Sequence, residues 1–371
     1  MNYIYLLIFI SFQICFLIQL YYTVIVHQKL AAYQPGKVPE SQGHPISVIV
    51  CGRNEEKNFL KNLPFILEQN YENYEVVVVN DCSNDNSDSV LREFSGRYPQ
   101  LKVVTINEHE RFKTGKKFAV TMGIKAAQNE HLLFTDADCR PSSKDWIYKM
   151  QRNFSGSTEI VLGYSPYEKL GGFVNLLIRF ETFFTALNYL SFALVEKPYM
   201  GVGRNMAYTK SLFFKGKGFA SHMHIPSGDD DLFVNQNATP KNTVIEIDTD
   251  AHVWSEPKKT FGQYIKQKRR HLGAGKIYKP EHKRMLSAQS GSAMLFYVLL
   301  FALIALKAQW WFLLSIYFIR LLALAIVYFP IFKKLNYDDL KWWLPFFDFI
   351  YYFYILVLSL LTIFKKKVQW K

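Results

Sequence analysis

The chain has 371 residues, of which 50% are hydrophobic and 16% are aromatic, and this composition allows more than one hydrophobic core. Its mean hydropathy is close to zero because apolar residues gather at the two ends, whereas the middle has the charge density of a water-soluble domain. The formal net charge is +13. Most of it lies directly before an apolar segment, which favours membrane lipids as the partner and argues against nucleic acid.

The N-terminal segment predicts a membrane helix. Residues 3–26 contain no charged side chain, and at about 1.5 Å of rise per residue a helix of this length spans a hydrocarbon core of about 30 Å. A cleaved signal peptide is the alternative, but no basic residue precedes the run and no small-residue cleavage site follows it. We therefore expect a transmembrane anchor over residues 1–28 and a linker over residues 29–44.

Residues 45–257 have the alternating pattern of an α/β domain. Near-continuous Val and Ile runs separated by helical spacing indicate a parallel sheet that is covered on both faces. The predicted strands are 46–50, 75–79, 101–106 and 132–134, and the predicted helices are 55–69 and 116–128. Ligands of such sheets bind beyond the carboxyl ends of the strands.

Polar residues follow three of these strands at that end. The clusters are 51–56 (CGRNEE), 80–85 (NDCSND) and 136–138 (DAD). Each cluster alone admits a structural interpretation, because Asn, Asp and Ser also cap helices and form turns. Three of them at one edge of one sheet indicate a ligand site.

Asp136 and Asp138 carry the clearest chemistry. Two carboxylates spaced i, i+2 after a buried strand are hard oxygen ligands that suit Mg²⁺ or Mn²⁺. Such an ion bridges a diphosphate and neutralises the charge that grows on it as it departs. An Asp-x-Asp pair alone is a weak motif, but its place after a strand strengthens the prediction of a divalent metal site.

Residues 258–290 form a basic segment that we expect at the membrane interface. Between residues 258 and 284 there are ten Lys or Arg residues and one acid, Glu281, so this window carries +9. The membrane segment that follows predicts contact with anionic headgroups. By the positive-inside tendency, the middle domain lies in the cytosol.

Residues 291–371 form a C-terminal transmembrane region. Its apolar stretches are 292–306, 310–329 and 344–364. The first is short, so it either crosses with its flanks at the interface or forms a re-entrant or tilted hairpin with the second. Four full crossings would place the Lys tail at 365–367 outside, against the positive-inside tendency, unless one stretch does not cross. The sequence thus predicts an integral protein of a plasma or inner membrane.

Two apolar segments contain charged residues, which a membrane span holds only at high cost. Segment 173–195 contains Arg179 and Glu181, which favours a helix in the membrane plane or over an acceptor instead of a crossing. Arg320 and Asp348 lie within the predicted C-terminal spans, where they mark a lipid or glycan path, snorkel to the interface or pair with each other.

The cysteines are predicted to be free thiols. Cys15, Cys51, Cys82 and Cys139 include no C-x-x-C pair. The last three lie in a domain that we place in a reducing compartment, where disulfides are rare.

Five runs of the sequence, in this order, resemble the family 2 glycosyltransferases. They are ISVIVCGRNEEKNFLKNLPFILEQNYENYEVVVVNDCSNDNSD, GKKFAVTMGIKAA, HLLFTDADCRP, SGDDDLF and QKRRH. The resemblance extends over about residues 45–271, and the ordered set of runs is specific although each run alone is modest. The resemblance implies a GT-A fold, which is an α/β Rossmann-like domain, and an inverting enzyme of the hexosyltransferase type that uses a nucleotide-diphosphate sugar donor.

The resemblance also implies roles for single residues at the donor site. Asp81 would contact the nucleotide base, although Asn80 stands where many members have a second Asp. Asp138 is the stronger candidate for direct metal ligation. Lys116 would line the nucleotide pocket, but it also fits an exposed lysine in the first turn of a helix. The candidate residues for nucleotide-sugar binding are Glu55, Asp81, Lys116 and Asp136, and those for metal binding are Asp138 and Asp136.

A catalytic base is needed because a sugar hydroxyl that attacks an anomeric carbon loses its proton as the bond forms. The run 227–232 (SGDDDL) offers three consecutive carboxylates, at least one of which is explained by capping of a helix. Like charges this close raise one another's pKa, as a base near neutral pH requires. When the family's pattern is aligned with this run, Gly228 stands at the position of the usual first acid and Asp229 at the position of the base. Asp230 is the second candidate for the base.

Two further elements resemble parts that bind acceptor or diphosphate. They are the loop 201–205 (GVGRN) and the run 267–271 (QKRRH), which resembles a Gln-x-x-Arg-Trp motif. His271 replaces the Trp, which weakens the case for processive polymerisation because the aromatic platform for an acceptor sugar is absent or altered. A basic helix lying on lipid is the alternative for Lys268 and Arg269. The candidate residues are Gly203, Arg204, Asn205, Gln267 and Arg270.

The sequence therefore predicts a transferase that moves a sugar from a nucleotide-diphosphate donor to a lipid-linked or cell-surface glycan acceptor at the membrane. A processive polysaccharide synthase is one alternative, for which few membrane segments offer little room for a long glycan channel. A non-catalytic membrane subunit that binds glycan or a synthase partner is the other. The joint presence of Asp81, Asp136, Asp138 and Asp229 argues against it.

Overall fold

The computed structural model describes residues 3–35, 43–107, 115–225, 227–271 and 273–363. The described chain forms a β-sheet domain with helices on both faces, together with long apolar helices near its two ends. The strands are β1 (Ile46–Gly52), β2 (Tyr74–Asp81), β3 (Leu101–Ile106), β4 (His131–Asp136), β5 (Cys139–Pro141), β6 (Ile160–Leu162), β7 (Met206–Thr209), β8 (Thr243–Ile245) and β9 (Val253–Ser255). The α-helices are α1 (Tyr3–Tyr21), α2 (Gln28–Ala32), α3 (Glu56–Leu67), α4 (Ser87–Arg97), α5 (Lys116–Ala126), α6 (Trp146–Gln151), α7 (Phe173–Leu194), α8 (Lys210–Lys215), α9 (Asp231–Asn237), α10 (Phe261–His271), α11 (Pro280–Ala305), α12 (Trp310–Lys334) and α13 (Leu344–Ile363).

The main sheet has seven strands in the order β3-β2-β1-β4-β7-β6-β8. Strands β1 to β4 are parallel, as their near-continuous apolar runs predict. Strand β7 is antiparallel to both neighbours, β4 and β6, and β8 runs parallel to β6. The predicted α/β class is confirmed, but the sheet is mixed and not wholly parallel. A second, small sheet pairs β5 with β9.

The strands and helices predicted between residues 46 and 134 are present, with ends within two residues of the prediction. Strand β1 shows why an apolar run in the sequence could predict a strand. Val48 and Val50 pack with Phe59 of α3 on one face, while Ile49 packs with Val120 of α5 on the other. Because helices cover both faces, every position favours an apolar residue. The four cysteines are free, as predicted.

Helix α7 lies inside the molecule, between the sheet domain and the C-terminal helices. The ring of Phe183 stacks on Phe332 of α12 with centroids 3.7 Å apart. Arg179 donates two hydrogen bonds to Asp339, at N···O distances of 2.9 and 2.5 Å. The aromatic side of this segment thus packs on α12, and the charge of Arg179 is paired within the protein.

Three helices in the described chain are long and apolar enough to cross a membrane: Tyr3–Ala32, Pro280–Ala305 and Trp310–Lys334. The first joins α1 to α2 through a π-helical turn, so it runs past the predicted boundary at residue 28. Helix α11 begins at Pro280, so the stretch expected to be short is the second half of a longer helix, and the boundary placed at 290 falls inside it. The last apolar stretch forms α13, and the Lys tail at 365–367 lies outside the described residues.

The charges within the C-terminal helices pair with each other. Arg320 on α12 donates to both carboxylate oxygens of Asp348 on α13, at 2.5 and 3.0 Å, and the two side chains are 1% and 5% exposed. Tyr297 of α11 also donates to Asp348. Of the alternatives that the sequence left open for these residues, mutual pairing is the one observed.

Candidate active site

The three predicted polar clusters meet at one edge of the main sheet. Parallel pairing sets Cys51 of β1 beside Asp136 of β4, and β2 pairs with β1 on its other side in the same direction. The loops that follow β1 and β2 are joined, because the backbone N–H of Asn84 donates to Asn54 Oδ1 at 2.8 Å. The strand ends therefore hold all three clusters around one cleft.

Glu55 and Asp81, predicted to contact the nucleotide, lie after β1 and at the end of β2. Burial raises the pKa of Glu55, the hydrogen bond donated by Asn58 opposes this, and the nearby Asp138 and Asp136 add to the rise. Asp81 is 1% exposed, so protein covers its carboxylate in this structure.

Potential metal-ligating atoms of Asp136, Asp138 and Cys139 lie within 4.8 Å of one another. The Cys139 thiol donates to Asp138 Oδ1 at 3.4 Å, and burial raises the pKa of this thiol well above its usual value, so the sulfur stays protonated and is a poor ligand. Burial, reinforced by Asp136, also raises the pKa of Asp138, and a bound cation would relieve that cost. The oxygen pair fits a hard divalent ion.

Lys116, the first residue of α5, bridges two acidic clusters. Its Nζ lies 2.9 Å from Asp136 Oδ1 and 3.1 Å from Asp229 Oδ2, and its side chain is 16% exposed. Burial opposes the charge of Lys116, but the carboxylates, Asp136 first, outweigh burial and hold the pKa of this lysine well above its usual value. Lys116 is therefore a fixed cation inside the cleft and not an exposed residue of a first helical turn.

The three consecutive carboxylates before α9 have different partners. Asp230 caps the helix by accepting the N–H of Asp231 at 2.8 Å, and its other oxygen accepts the N–H of Gly203 at 2.8 Å. Asp231 accepts a hydrogen bond from the Tyr278 hydroxyl at 2.9 Å. Asp229 instead forms the ion pair with the bridging lysine. Asp229 and Asp230 both line the cleft, but the hydrogen bonds of Asp230 and Asp231 also support the fold.

The surroundings of Asp229 suit a proton acceptor. Burial raises its pKa, the bridging lysine opposes this rise and Asp230 reinforces it. Gly228, which stands at the family's usual first acid, has a φ of +95°, and a Cβ there would lie 2.5 Å from Leu232 Cδ1. The backbone turn that presents Asp229 therefore requires glycine at this position.

The predicted acceptor loop divides into two parts. Arg204 donates to the carbonyl oxygen of Ser165 at 3.1 Å, and its guanidinium lies 4.3 Å from the centroid of the Tyr167 ring. Asn205 is completely buried, and its amide bonds to Trp146 and to two backbone carbonyls. The structure places Asn205 in the core, where it holds the loop and does not face an acceptor.

Helix α10 joins this loop through Tyr167. Gln267 Nε2 donates to the Tyr167 hydroxyl at 3.3 Å, and the guanidinium of Arg204 lies over the ring of the same tyrosine. Tyr167 was not predicted, since no motif distinguishes it from other loop aromatics. The side chains of Arg270 and His271 lie outside the described part of the chain.

Lys117 was also missed by the sequence analysis. Its Nζ donates to the carbonyl oxygens of His222 at 2.6 Å and Ile225 at 3.1 Å, in the loop before Asp229. Burial lowers the pKa of Lys117 to about 8. The available signal was its position beside Lys116, but two adjacent lysines do not reveal which one ties a distant loop.

Comparisons with known proteins show which family the sequence resembles and which solved structure shares its fold. The family model described as glycosyl transferase family 2 matches residues 47–214. The glycosyltransferase AglE of Haloferax volcanii is 27% identical over 241 residues, which are 62% of this chain and 73% of that protein. The 4,4'-diaponeurosporenoate glycosyltransferase of Staphylococcus haemolyticus is 28% identical over 140 residues, 36% of each chain. The chain matches that relative and several others over less than half of their own length.

A solved structure extends the likeness to almost the whole molecule. The mannosyltransferase PcManGT from Pyrobaculum calidifontis, in complex with GDP-Man and Mn²⁺, matches 98% of this chain and 99% of its own, with a TM-score of 0.63. Identity is 17%, so this likeness shows a shared fold. The shared fold includes the α/β domain and the helices that follow it.

Proposed function

This chain belongs to the family 2 glycosyltransferases, and from that premise we propose that it moves a sugar from a nucleotide-diphosphate donor to a lipid-linked or cell-surface glycan acceptor at a membrane, inverting the anomeric centre. The observation that carries the proposal is the meeting of Asp136, Asp138, Lys116 and Asp229 in one cleft. This arrangement combines groups that hold a charged diphosphate with a carboxylate that accepts a proton.

The donor side rests on the acidic pair after β4. Asp138 and Asp136 would hold Mg²⁺ or Mn²⁺, and the ion would neutralise the charge that develops on the departing nucleoside diphosphate. The presence of GDP-Man and Mn²⁺ in PcManGT supports this assignment. Lys116 places a fixed positive charge beside Asp136, and Glu55 and Asp81 would position the nucleotide from the two neighbouring loops.

Asp229 is the proposed general base. It would take the proton of the acceptor hydroxyl while that oxygen bonds to the anomeric carbon. The bond between this carbon and the diphosphate breaks at the same time, and its electron pair leaves with the diphosphate. Asp230 is less suited, because both of its oxygens already accept backbone hydrogen bonds. Direct displacement needs no covalent intermediate with the enzyme.

A membrane site for the acceptor is supported by the rest of the chain. Three helices of the described chain are long and apolar enough to cross a membrane. The basic segment between the catalytic domain and α11 is suited to a surface rich in anionic lipid. We place the catalytic domain on the cytosolic side of a plasma or inner membrane, and we favour transfer of one sugar over processive synthesis.

The test is release of nucleoside diphosphate from a panel of nucleotide sugars, with native lipids supplied and Mg²⁺ or Mn²⁺ present. Membranes containing the wild type are compared with membranes containing Asp138→Ala and, as a control, Asp88→Ala, whose side chain is 40% exposed on α4. We expect metal-dependent release that falls at least about 100-fold in Asp138→Ala and stays unchanged in the control. Absence of release from every donor by the wild type would overturn the proposal.

A further inference from the structure

The helix that follows the proposed base, Asp229, is short. Helix α9 begins at Asp231, two residues after Asp229, and has 7 residues. Isolated helices shorter than about 12 residues are only marginally stable in water. The position of α9, and with it the position of Asp229, therefore depends on contacts with the rest of the protein.

The segment that leads into α11 supplies such contacts. The Tyr278 hydroxyl donates to Asp231 Oδ2 at 2.9 Å, and the backbone N–H of Lys279 donates to Asn235 Oδ1 at 2.9 Å. The amide nitrogen of Asn235 also lies 2.9 Å from Nδ1 of His282, which is on α11. Asp231 and Asn235 are four positions apart and therefore share a face of α9. This face is joined to the start of α11.

The contacts between α9 and this segment are inside the protein. Asn235, Tyr278 and His282 are buried. The ring of Tyr278 also packs edge-on against the ring of Tyr199, with centroids 6.0 Å apart. Because protein covers these residues, water does not readily replace their hydrogen bonds, and loss of one bond leaves a buried polar group without its partner.

The attachment connects the cleft with a helix that is long and apolar enough to cross a membrane, since α11 is one of the three such helices in the described chain. On the side of the cleft, Asp229 Oδ2 lies 3.1 Å from Nζ of Lys116 on α5. The proposed base therefore stands between a fixed cation of the catalytic domain and a short helix that α11 holds in place.

We propose that Tyr278 is a positioning residue for the transfer reaction: its hydrogen bond to Asp231 holds α9 on the start of α11 and so keeps Asp229 beside Lys116. This inference rests on the proposed function, in which Asp229 takes the proton of the acceptor. Tyr278 acts through Asp231 and not by contact with the substrate. The place of the base in the cleft thus depends on the segment that enters the membrane helix.

The test is Tyr278→Phe in the full chain, which removes the hydroxyl and keeps the ring that packs on Tyr199. We expect kcat to fall at least about fivefold, because small displacements of a catalytic group are costly in rate. The KM for the donor should change less than about twofold, since the proposed metal ligands follow β4 and do not lie on α9. Tyr148→Phe on α6 is the matched control, because Tyr148 is 38% exposed, and it should leave both constants unchanged.

The pH profile distinguishes a displaced Asp229 from a simple loss of folded protein. Ionisable groups that interact electrostatically with Asp229 include Lys116, Lys117, Asp136, Asp230 and His222. Tyr278→Phe replaces none of them. Burial raises the pKa of Asp229 and the charge of Lys116 opposes this rise, so displacement from the lysine should move the acid limb of kcat/KM to higher pH. A smaller folded fraction would lower kcat and leave the limb in place; that result, or an unchanged kcat, overturns the proposal.

A double variant locates the effect on this one hydrogen bond. In an Asp231→Ala background the Tyr278 hydroxyl has no carboxylate to hold, so Tyr278→Phe should change kcat less than about twofold there. The same loss in both backgrounds would mean that Tyr278 acts through another contact, and it would contradict the proposal.

Hydrogen exchange provides a measurement that needs no donor. The backbone amides of residues 229–237 should exchange faster in Tyr278→Phe than in the wild type, whereas those of α4 should not change. Unchanged exchange together with intact donor release would reject the positioning role and leave the transferase. Faster exchange in a protein that releases no nucleoside diphosphate from any donor would reject the transferase and leave the attachment of α9 as a structural contact only.

Discussion

Lys116 and Asp229 control each other's protonation at the centre of the cleft. Their side chains are 16% and 11% exposed, and the distance from Lys116 Nζ to Asp229 Oδ2 is 3.1 Å. Burial raises the pKa of Asp229, the lysine charge lowers it, and the net result is above the usual range. A base works only in its deprotonated form, so the acid limit of activity depends on this ion pair.

We expect kcat/KM to fall as the pH drops through the raised pKa of Asp229, because the protonated carboxyl cannot take the acceptor's proton. Lys116→Met removes a charge that lowers this pKa, so the acid limb should move to higher pH. Lys125→Met, at an exposed position of the same helix, is the control and should leave the limb in place. A pH profile of kcat/KM at saturating metal measures both, and an unmoved limb in Lys116→Met would exclude Asp229 as the titrating base.

At the scale of elements, the position of α5 depends on a glycine. A Cβ at Gly123 would lie 2.8 Å from Ile49 Cγ2 and 3.0 Å from Val79 Cγ2, so the helix packs on β1 and β2 at a distance that no side chain allows. Because α5 begins with Lys116, this close packing also sets the depth of the lysine in the cleft. The helix thus links core packing to the geometry of the site.

Gly123→Ala should lower the free energy of unfolding by about 1–3 kcal/mol, because the added methyl group overpacks the interface between α5 and the sheet. Gly96→Ala on α4 is the matched control, since a Cβ there meets no atom within 4 Å. In that variant the better helix propensity of alanine should raise the free energy of unfolding by roughly 0.5–1 kcal/mol. Denaturant unfolding in detergent measures both, and equal effects of the two substitutions would contradict the packing argument.

Lys117 ties α5 to the loop that leads to Asp229. It donates to two loop carbonyls, and His222 of the same loop bonds through Nε2 to the Gly228 carbonyl oxygen at 3.0 Å. The chain therefore reaches Asp229 from a segment that is fixed at two points. Neither contact involves a group that we expect to touch the substrate.

Lys117→Met should destabilise the protein by about 1–3 kcal/mol, because it leaves two carbonyls without their donor. It should also lower turnover at temperatures where the protein is still folded, since Asp229 loses its fixed position. Lys125→Met on the same helix serves again as the control, because its side chain is exposed. Thermal unfolding and initial rates are measured on the same preparation. If the loss of activity equals the loss of folded protein, the prediction of a separate effect on turnover is wrong.

The sequence could predict those elements whose pattern is long and regular. Strands β1 to β4 are covered on both faces, which produces apolar runs that are readable without a structure. Strands β6 and β8 have three residues each, too few to establish a period, and so the mixed part of the sheet was missed. The apolar character of helix α7 could be predicted, but its packing against α12 and α13 could not, because these helices are distant in the sequence.

The residues of the site show the same contrast between roles that local sequence predicts and roles that depend on distant contacts. Asp136, Asp138 and Asp229 stand in motifs at strand and helix ends, so their convergence could be predicted. Asn205 stands in a similar loop motif, but its amide meets Trp146, which is 59 positions away, and local sequence carries no sign of that contact. Residues whose role depends on a distant partner therefore need the fold before they can be assigned.

At the scale of the whole molecule, the N-terminal helix is part of a common structure and not a separate anchor. Gln19 donates to the Gln289 carbonyl oxygen at 2.9 Å and to Ser292 of α11. At the end of this segment, the Tyr33 hydroxyl donates to the carbonyl oxygen of Ile245 in β8 at 3.1 Å. The helix thus contacts both the C-terminal helices and the sheet domain, which restrains the position of the cleft relative to them.

The Arg320–Asp348 pair joins α12 to α13 among apolar side chains, and its removal tests how the C-terminal helices are held together. Both groups are almost fully buried, so removal of one partner leaves an uncompensated charge. Arg320→Met alone and Asp348→Leu alone should each lower the free energy of unfolding by about 3–5 kcal/mol, whereas the double variant should lose much less than the sum. The exposed pair of Arg92 and Asp88 on α4 is the control, where Arg92→Met should change stability by less than about 1 kcal/mol. Unfolding of the four variants in one detergent measures the coupling, and additive losses at Arg320 and Asp348 would mean that the two residues do not stabilise the helices as a pair.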